Sequence, residues 1–280
     1  MSNTLKTTLL LGLLTGLLLF VGDRLGGPQG LVIAFGLTIV MNVGSYWFSD
    51  RVVLRMYRAQ ELTEEQAPEL FGMVRELTTS VGIPMPKLYL VPNDSPNAFA
   101  TGRNPAHAAV AVTTGITRIL SREELRGVVA HELGHVANRD TLISAVAATM
   151  AGAIMILARF AYWASLFGGG GSDDDDGGPL VALAMMIVAP LAAMLIQMAV
   201  SRSREFGADA FAARVTRDPF SLASALEKLA VGAQRVPLHG GPATAHLFIT
   251  NPLRAVRFAK LFSTHPPTDE RVRRLRSMTF

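Results

Sequence analysis

Ser121-Arg122-Glu123-Glu124-Leu125-Arg126-Gly127-Val128-Val129-Ala130-His131-Glu132-Leu133-Gly134-His135-Val136-Ala137-Asn138-Arg139-Asp140 is the stretch around which the rest of the chain has to be arranged. Ser121 with Glu124 three residues on is a capping-box start signal for a helix. Leu125, Val128, Val129, Leu133 and Val136 then repeat at helical spacing and form one apolar face. At about 100° per residue, His131 and His135 lie roughly 40° apart and well off that face, so both imidazoles project together, one turn apart. That spacing lets two histidines grip one metal ion. Glu132 lies between them, turned aside from both, which suits a carboxylate acting on a water molecule rather than on the metal. Gly134 either leaves room beside the metal or admits a close-packed neighbour.

Two histidines leave a catalytic zinc one protein ligand short. The chain has no cysteine, so the missing ligand has to be a histidine or a carboxylate. Far downstream comes Ser201-Arg202-Ser203-Arg204-Glu205-Phe206-Gly207-Ala208-Asp209. Glu205 and Asp209 are four apart and share a helix face. Glu205 can complete a two-histidine, one-glutamate site. Asp209 is placed to accept a hydrogen bond from a ligand imidazole and fix its tautomer.

What separates these two segments is apolar. Of the 280 residues, 50% are hydrophobic and only 17% charged, and the mean hydropathy is +0.33. This composition excludes a mainly disordered chain. Four apolar stretches stand out, at residues 7–21, 31–48, 142–167 and 179–200. The last two are comfortable bilayer spans, and the second ends in Tyr46 and Trp47, residues suited to the headgroup boundary. The first is short, but no small-residue cleavage pattern follows it, so it is read as one limb of a helical hairpin rather than as a signal peptide.

Arg51, Arg55 and Arg58 follow the second stretch, and Arg202 and Arg204 follow the fourth, whereas the loop containing Asp173–Asp176 carries no Lys or Arg. Positive residues stay cytoplasmic. The expected protein is therefore multi-pass in the cell (inner) membrane, with both termini and the catalytic domain in the cytoplasm and the aspartate loop outside as a solvated linker. The same distribution accounts for the net charge of +4 without a nucleic-acid partner.

The expected organisation is a transmembrane hairpin over 1–49, the first half of a catalytic domain over 50–140, a second hairpin over 141–200, and the second half over 201–280. Within the first half, residues 62–81 read as an amphipathic helix with Leu70, Val74 and Leu77 on one face. Residues 87–91, 97–101 and 108–113 read as three short strands of an antiparallel meander. The fold class expected is mainly α with a small antiparallel β-sheet (α+β).

The ordered set of motifs resembles the HtpX family of membrane zinc metalloproteases, relatives of the CaaX prenyl-protease endopeptidases. It consists of an N-terminal hydrophobic hairpin, His-Glu-Leu-Gly-His, two further hydrophobic spans, the Ser201–Asp209 segment, and finally Thr264-His265-Pro266-Pro267-Thr268. The resemblance covers essentially the whole chain. It implies a gluzincin-type domain at the cytoplasmic face with one Zn2+ per chain, held by His131, His135 and Glu205, and Glu132 as the catalytic base. It also implies His265 as a transition-state donor or a structural histidine near the site, and a role in membrane-protein quality control under stress. Phe206 stands where the family often carries tyrosine, and a packing role is expected for it.

Charged residues flank the His131–His135 helix on both sides, which is costly in hydrocarbon. This places the metal in water beside the bilayer, within reach of unfolded or membrane-protein polypeptides. Residues 97–102 are the candidate strand against which such a substrate would lie. Two other classes compete: a catalytically silent zinc-binding scaffold or holdase, for which an intact Glu132 is superfluous, and a metallohydrolase acting on a lipid or prenylated substrate. His107, His239 and His246 lack ligand spacing and read as surface or loop residues.

Overall fold

The computed structural model describes residues 3–144, 146, 202–235 and 266–279. The calls for spans at 142–167 and 179–200, the Asp173–Asp176 loop, His239, His246 and His265 fall largely or wholly outside them.

The two N-terminal apolar stretches form one helical element, α1 (Asn3–Met56), bent back on itself at Gly27, whose φ of 54° and ψ of −143° are non-helical. Glycine adopts that φ without a steric cost, and Pro28 is preset to restart the helix. The two limbs touch through glycine: a Cβ on Gly22 would lie 2.5 Å from Ala34 Cβ and 2.7 Å from the Gly30 carbonyl oxygen. Asn42 Nδ2 donates across the hairpin to Thr15 Oγ1 at 3.1 Å. Within the second limb, Gly27–Phe48 is 22 residues with a mean hydropathy of 1.7, and among the described residues it is the one stretch long and apolar enough to cross a bilayer. α1 does not stop at the expected boundary of residue 49. It continues to Met56 and buries Val53 and Leu54 against Val91, Phe99, Ala109 and Ala111, on one face of the sheet.

The sheet is mixed, not the antiparallel meander expected. β1 (Gln60–Glu61), β2 (Lys87–Val91), β3 (Ala98–Gly102) and β4 (Ala108–Thr113) lie in the order β1-β2-β4-β3. β2 runs parallel to β4, from Lys87↔Ala109 to Val91↔Thr113, and β3 is antiparallel to β4. The cause lies in residues 92–97. They do not close a hairpin but wrap over the end of β4: Thr114 Oγ1 and Gly115 N both donate to the Asn93 carbonyl (2.7 and 2.9 Å), and Thr113 N donates to the Asn97 carbonyl (2.9 Å). The chain thus crosses to the far side before β3 begins, and β4 returns between β2 and β3. Fully buried β4 reads Ala-Ala-Val-Ala-Val-Thr, a run suited to a central strand.

The amphipathic helix expected over 62–81 is shorter: α2 spans Pro68–Val81. Leu62 N donates to the Leu88 carbonyl at 2.8 Å, which holds residue 62 beside the sheet. Pro68, lacking an N–H, takes the first helical turn. Met73, Val74 and Leu77 face the core, and Gly82 closes the helix in the left-handed conformation (φ 68°).

α3 (Thr114–Ile119) leads into α4 (Arg122–Ala137). The capping box is complete, with Glu124 N donating to Ser121 Oγ and Ser121 N to Glu124 Oε2. Val128, Val129, Leu133 and Val136 enter the main core with Ala98, Ala100, Val110 and Val112 of the sheet. α5 (Arg202–Thr216) crosses α4 closely, α6 (Pro219–Arg235) packs beside both, and α7 (Thr268–Arg276) closes over α5 and α6.

Candidate metal centre

α4 meets α5 at small residues. A Cβ on Gly134 would lie 3.2 Å from Ala208 Cα and 3.1 Å from Phe211 Cδ1, so this glycine serves close helix packing. The approach brings Glu205 to the two histidines. His131 Nε2 lies 3.8 Å from Glu205 Oε2, and His135 Nε2 lies 3.5 Å from Glu205 Oε1. One ligand atom from each of the three residues falls within 4.8 Å of the others, a group able to hold a metal ion. The imidazoles stand nearly perpendicular (89°), with centroids 4.8 Å apart.

Each histidine is held from its other nitrogen. His131 Nδ1 lies 2.9 Å from Asp209 Oδ1, the partner anticipated from the Glu205–Asp209 spacing. His135 Nδ1 lies 3.1 Å from Asp140 Oδ2, a partner the sequence reading missed. α4 ends at Asn138–Arg139, Arg139 turns through the left-handed region (φ 58°), and helix resumes at Asp140. The carboxylate five residues on is thereby swung back onto the ring. A carboxylate at each Nδ1 turns each Nε2 toward Glu205.

Glu132 is buried, and its Oε2 accepts a hydrogen bond from the Ala100 N–H at 2.9 Å. Burial pushes its carboxyl above the usual range and the Glu205 charge adds to this, while the two histidines and the Ala100 N–H work the other way. Ala100 lies in β3, one of the two edge strands of the sheet. Thr141 Oγ1 donates to the Gly102 carbonyl on the same strand at 2.8 Å. Although an edge, β3 is buried along its whole length.

The second residue missed is Arg271, on α7 and only 1% exposed. Its Nε and Nη2 both donate to Asp209, at 2.9 and 2.7 Å, and Nη1 lies 3.5 Å from Glu205 Oε2. Burial works against a charged Asp209, but Arg271 beside it holds its pKa at about 2. Nothing in the run Arg271-Val272-Arg273-Arg274-Leu275-Arg276 distinguishes this arginine from its solvated neighbours, except that Val272 and Leu275 mark the buried face beside it. Phe206 packs under Arg274, whose Cζ lies 3.7 Å above its ring centroid. His107 is exposed and bonded to Asn104, away from the site.

The residues fit a divalent cation by donor type and by charge. Two imidazole nitrogens and one carboxylate make a catalytic-zinc ligand set. Glu132, Asp140, Glu205 and Asp209 are buried carboxylates. Against them among the described residues stand Arg271 and the Arg204 guanidinium, whose three nitrogens are buried without a hydrogen-bond partner. Asp140 and Glu205 both act on the Arg204 charge. Carboxylates outnumber guanidinium groups among these buried side chains, an excess of acid that suits a cation.

A His-Glu-x-x-His helix beneath a small sheet, with a glutamate from a later helix closing the donor set, defines the metallopeptidase class of fold. The chain belongs to peptidase family M48, whose family model matches residues 64–279. It is 57% identical over 282 residues to a protease HtpX homolog of Syntrophobacter fumaroxidans, covering 99% of this chain and 100% of that protein. To the protease HtpX homolog of Thermococcus sibiricus it is 53% identical over 278 residues, covering 98% and 95%. Among solved structures, that of S. mikatae Ste24p superimposes with a TM-score of 0.52 at 18% identity, a likeness of fold. It covers 98% of this chain, which spans 65% of that one.

Proposed function

We propose that this chain is a membrane-bound zinc endopeptidase that cleaves misfolded or damaged membrane proteins at the cytoplasmic face. The observation that carries the reading is the convergence of His131, His135 and Glu205, from two segments separated in the chain by apolar sequence, beside a buried Glu132 held by the Ala100 N–H. Membership of the M48 family and similarity to proteins named HtpX proteases support it. So does the apolar Gly27–Phe48 stretch, most of which is not packed within the protein.

His131, His135 and Glu205 would hold the zinc, and when bound it supplies Lewis acidity for water attack and carbonyl polarisation. Asp209 and Asp140 hold the two imidazoles so that each presents Nε2. Glu132 takes the proton of the attacking water and delivers it to the leaving amine. Its raised proton affinity suits a group that must accept and then release a proton within one turnover. An extended substrate pairs with β3 beside the Ala100–Glu132 contact, which requires it to displace what now covers that buried strand. Main-chain pairing there reads backbone shape more than side chains, which fits unfolded substrates. His265 is retained as the proposed donor to the developing oxyanion.

The test is cleavage of casein by detergent-purified, zinc-restored protein, with Glu132→Ala alongside. Loss of cleavage in the variant supports the assignment. Equal cleavage by both sinks it, and cleavage by neither favours a zinc-binding scaffold. Metal assay of His131→Ala and Glu205→Ala checks the ligand set, because full retention of zinc by both refutes it.

A further inference from the structure

We propose that Arg271 is a positioning residue of the metal centre, so that the last helix of the chain is an integral part of metal binding. The inference rests on the zinc-site reading above and goes beyond it.

The geometry is a relay. Arg271 grips Asp209 with Nε and Nη2 in the planar two-point manner a carboxylate fits best. Asp209 Oδ1, held by one of those bonds, is the atom that meets His131 Nδ1. Arg271 Nη2 also lies 3.4 Å from both His131 Nδ1 and His131 Nε2. Equal distances to two nitrogens on the same ring mean that this amino group is aligned with neither lone pair alone. His131 is therefore held by two side chains, Asp209 at Nδ1 and Arg271 within 3.4 Å of both ring nitrogens. Through Nη1 the same guanidinium approaches Glu205, the third donor, at 3.5 Å. One side chain from α7 thus restrains two of the three donors, and it does so while only 1% exposed.

α7 has a second fastening to α5, which separates positioning from mere docking. Arg274, one turn along α7, stacks on Phe206, one turn back from Asp209 along α5. Neither residue of this rung is one of the three donors. If α7 served only to cover the site, both rungs would matter alike. If Arg271 positions the donors, only its own rung bears on the metal.

The experiment uses full-length protein in detergent and compares wild type, Arg271→Ala, Arg271→Lys and Arg274→Ala. Zinc affinity is measured by competition with a chromophoric chelator, and ligand geometry by the visible absorption bands of the cobalt(II)-substituted protein. Arg271→Ala is expected to lose about 10–100-fold in zinc affinity and to shift the cobalt bands. Arg271→Lys keeps the charge and guards against misfolding, yet is expected to fall short of wild type because an ammonium cannot make the two-point grip. Arg274→Ala is expected to match wild type in both readouts. Wild-type affinity and bands in Arg271→Ala, or the same losses in Arg274→Ala, overturn the proposal. Failure of wild-type protein to bind zinc at all instead overturns the site reading beneath it.

Discussion

The main-chain N–H of Ala100 donates to Oε2 of Glu132 at 2.9 Å, joining edge strand β3 to the carboxylate proposed as general base. The bond ties one carboxylate oxygen to the backbone of a strand. Glu132→Gln keeps an oxygen acceptor for Ala100 and removes only the basic site. The variant is expected to retain wild-type zinc content while its peptide-bond cleavage falls by about 10²–10⁴-fold. Paired metal analysis and a fluorogenic casein assay check this. Undiminished cleavage would remove Glu132 from the chemistry.

Asp140 gives a second expectation, with a pH dependence. Burial favours neutral His135, but the hydrogen bond that its Nδ1–H donates to Asp140, with the charges of Glu205 and Glu132, outweighs it and raises the ring to about 9 in the metal-free protein. An unfolded histidine titrates near 6.5. Because the folded pKa is the higher one, the imidazolium stabilises the metal-free fold fully below about pH 6.5, and that contribution is lost as pH rises through about 9. Metal binding must displace the same proton. Zinc affinity is therefore expected to climb between pH 6 and 9, with proton release visible in calorimetry across buffers of different ionisation enthalpy. Asp140→Asn should lower the affinity about 10–100-fold and flatten that climb.

The parts of this centre legible in the sequence are those that one helix repeat can carry. His131 and His135 are four apart, as are Glu205 and Asp209, and a single turn fixes each pair on a face. Asp140 was invisible for the converse reason: five residues from His135 is no helical neighbour, and only the left-handed turn at Arg139 brings it back. Arg271 arrives from a separate element whose arginines look alike in the sequence. The sheet shows the same boundary. Strand positions 87–91 and 108–113 followed from composition, but their order depended on hydrogen bonds that residues 92–97 make to Thr113, Thr114 and Gly115, which no local pattern announces.

Gly134 offers a stability test separate from chemistry. The sequence left open whether it spares room for the metal or for packing, and the contacts with Phe211 and with the Ala208 backbone decide for packing. Phe211 can tilt, but Ala208 Cα moves only with its helix. Gly134→Ala is expected to destabilise by about 1–3 kcal/mol, lowering the thermal midpoint. A variant as stable as wild type would show that α4 and α5 separate at little cost.

Trp47 tests the membrane reading. It lies in the last turn of the Gly27–Phe48 stretch, half exposed, with the Arg103 guanidinium 4.6 Å from its ring centroid. That pairing links the β3–β4 turn to the end of the apolar helix, at the level where tryptophan and arginine both favour lipid headgroups. The chain has two tryptophans, so Trp163→Phe leaves Trp47 as the sole reporter. In vesicles, its emission is expected to be quenched more strongly by lipids brominated near the headgroup than by lipids brominated at the chain ends. Stronger quenching by the chain-end bromines would bury the β3–β4 turn too deep for a site working in water. Absence of quenching by either lipid would take this helix out of the bilayer and remove the reason to place Glu132 and its neighbours beside a membrane.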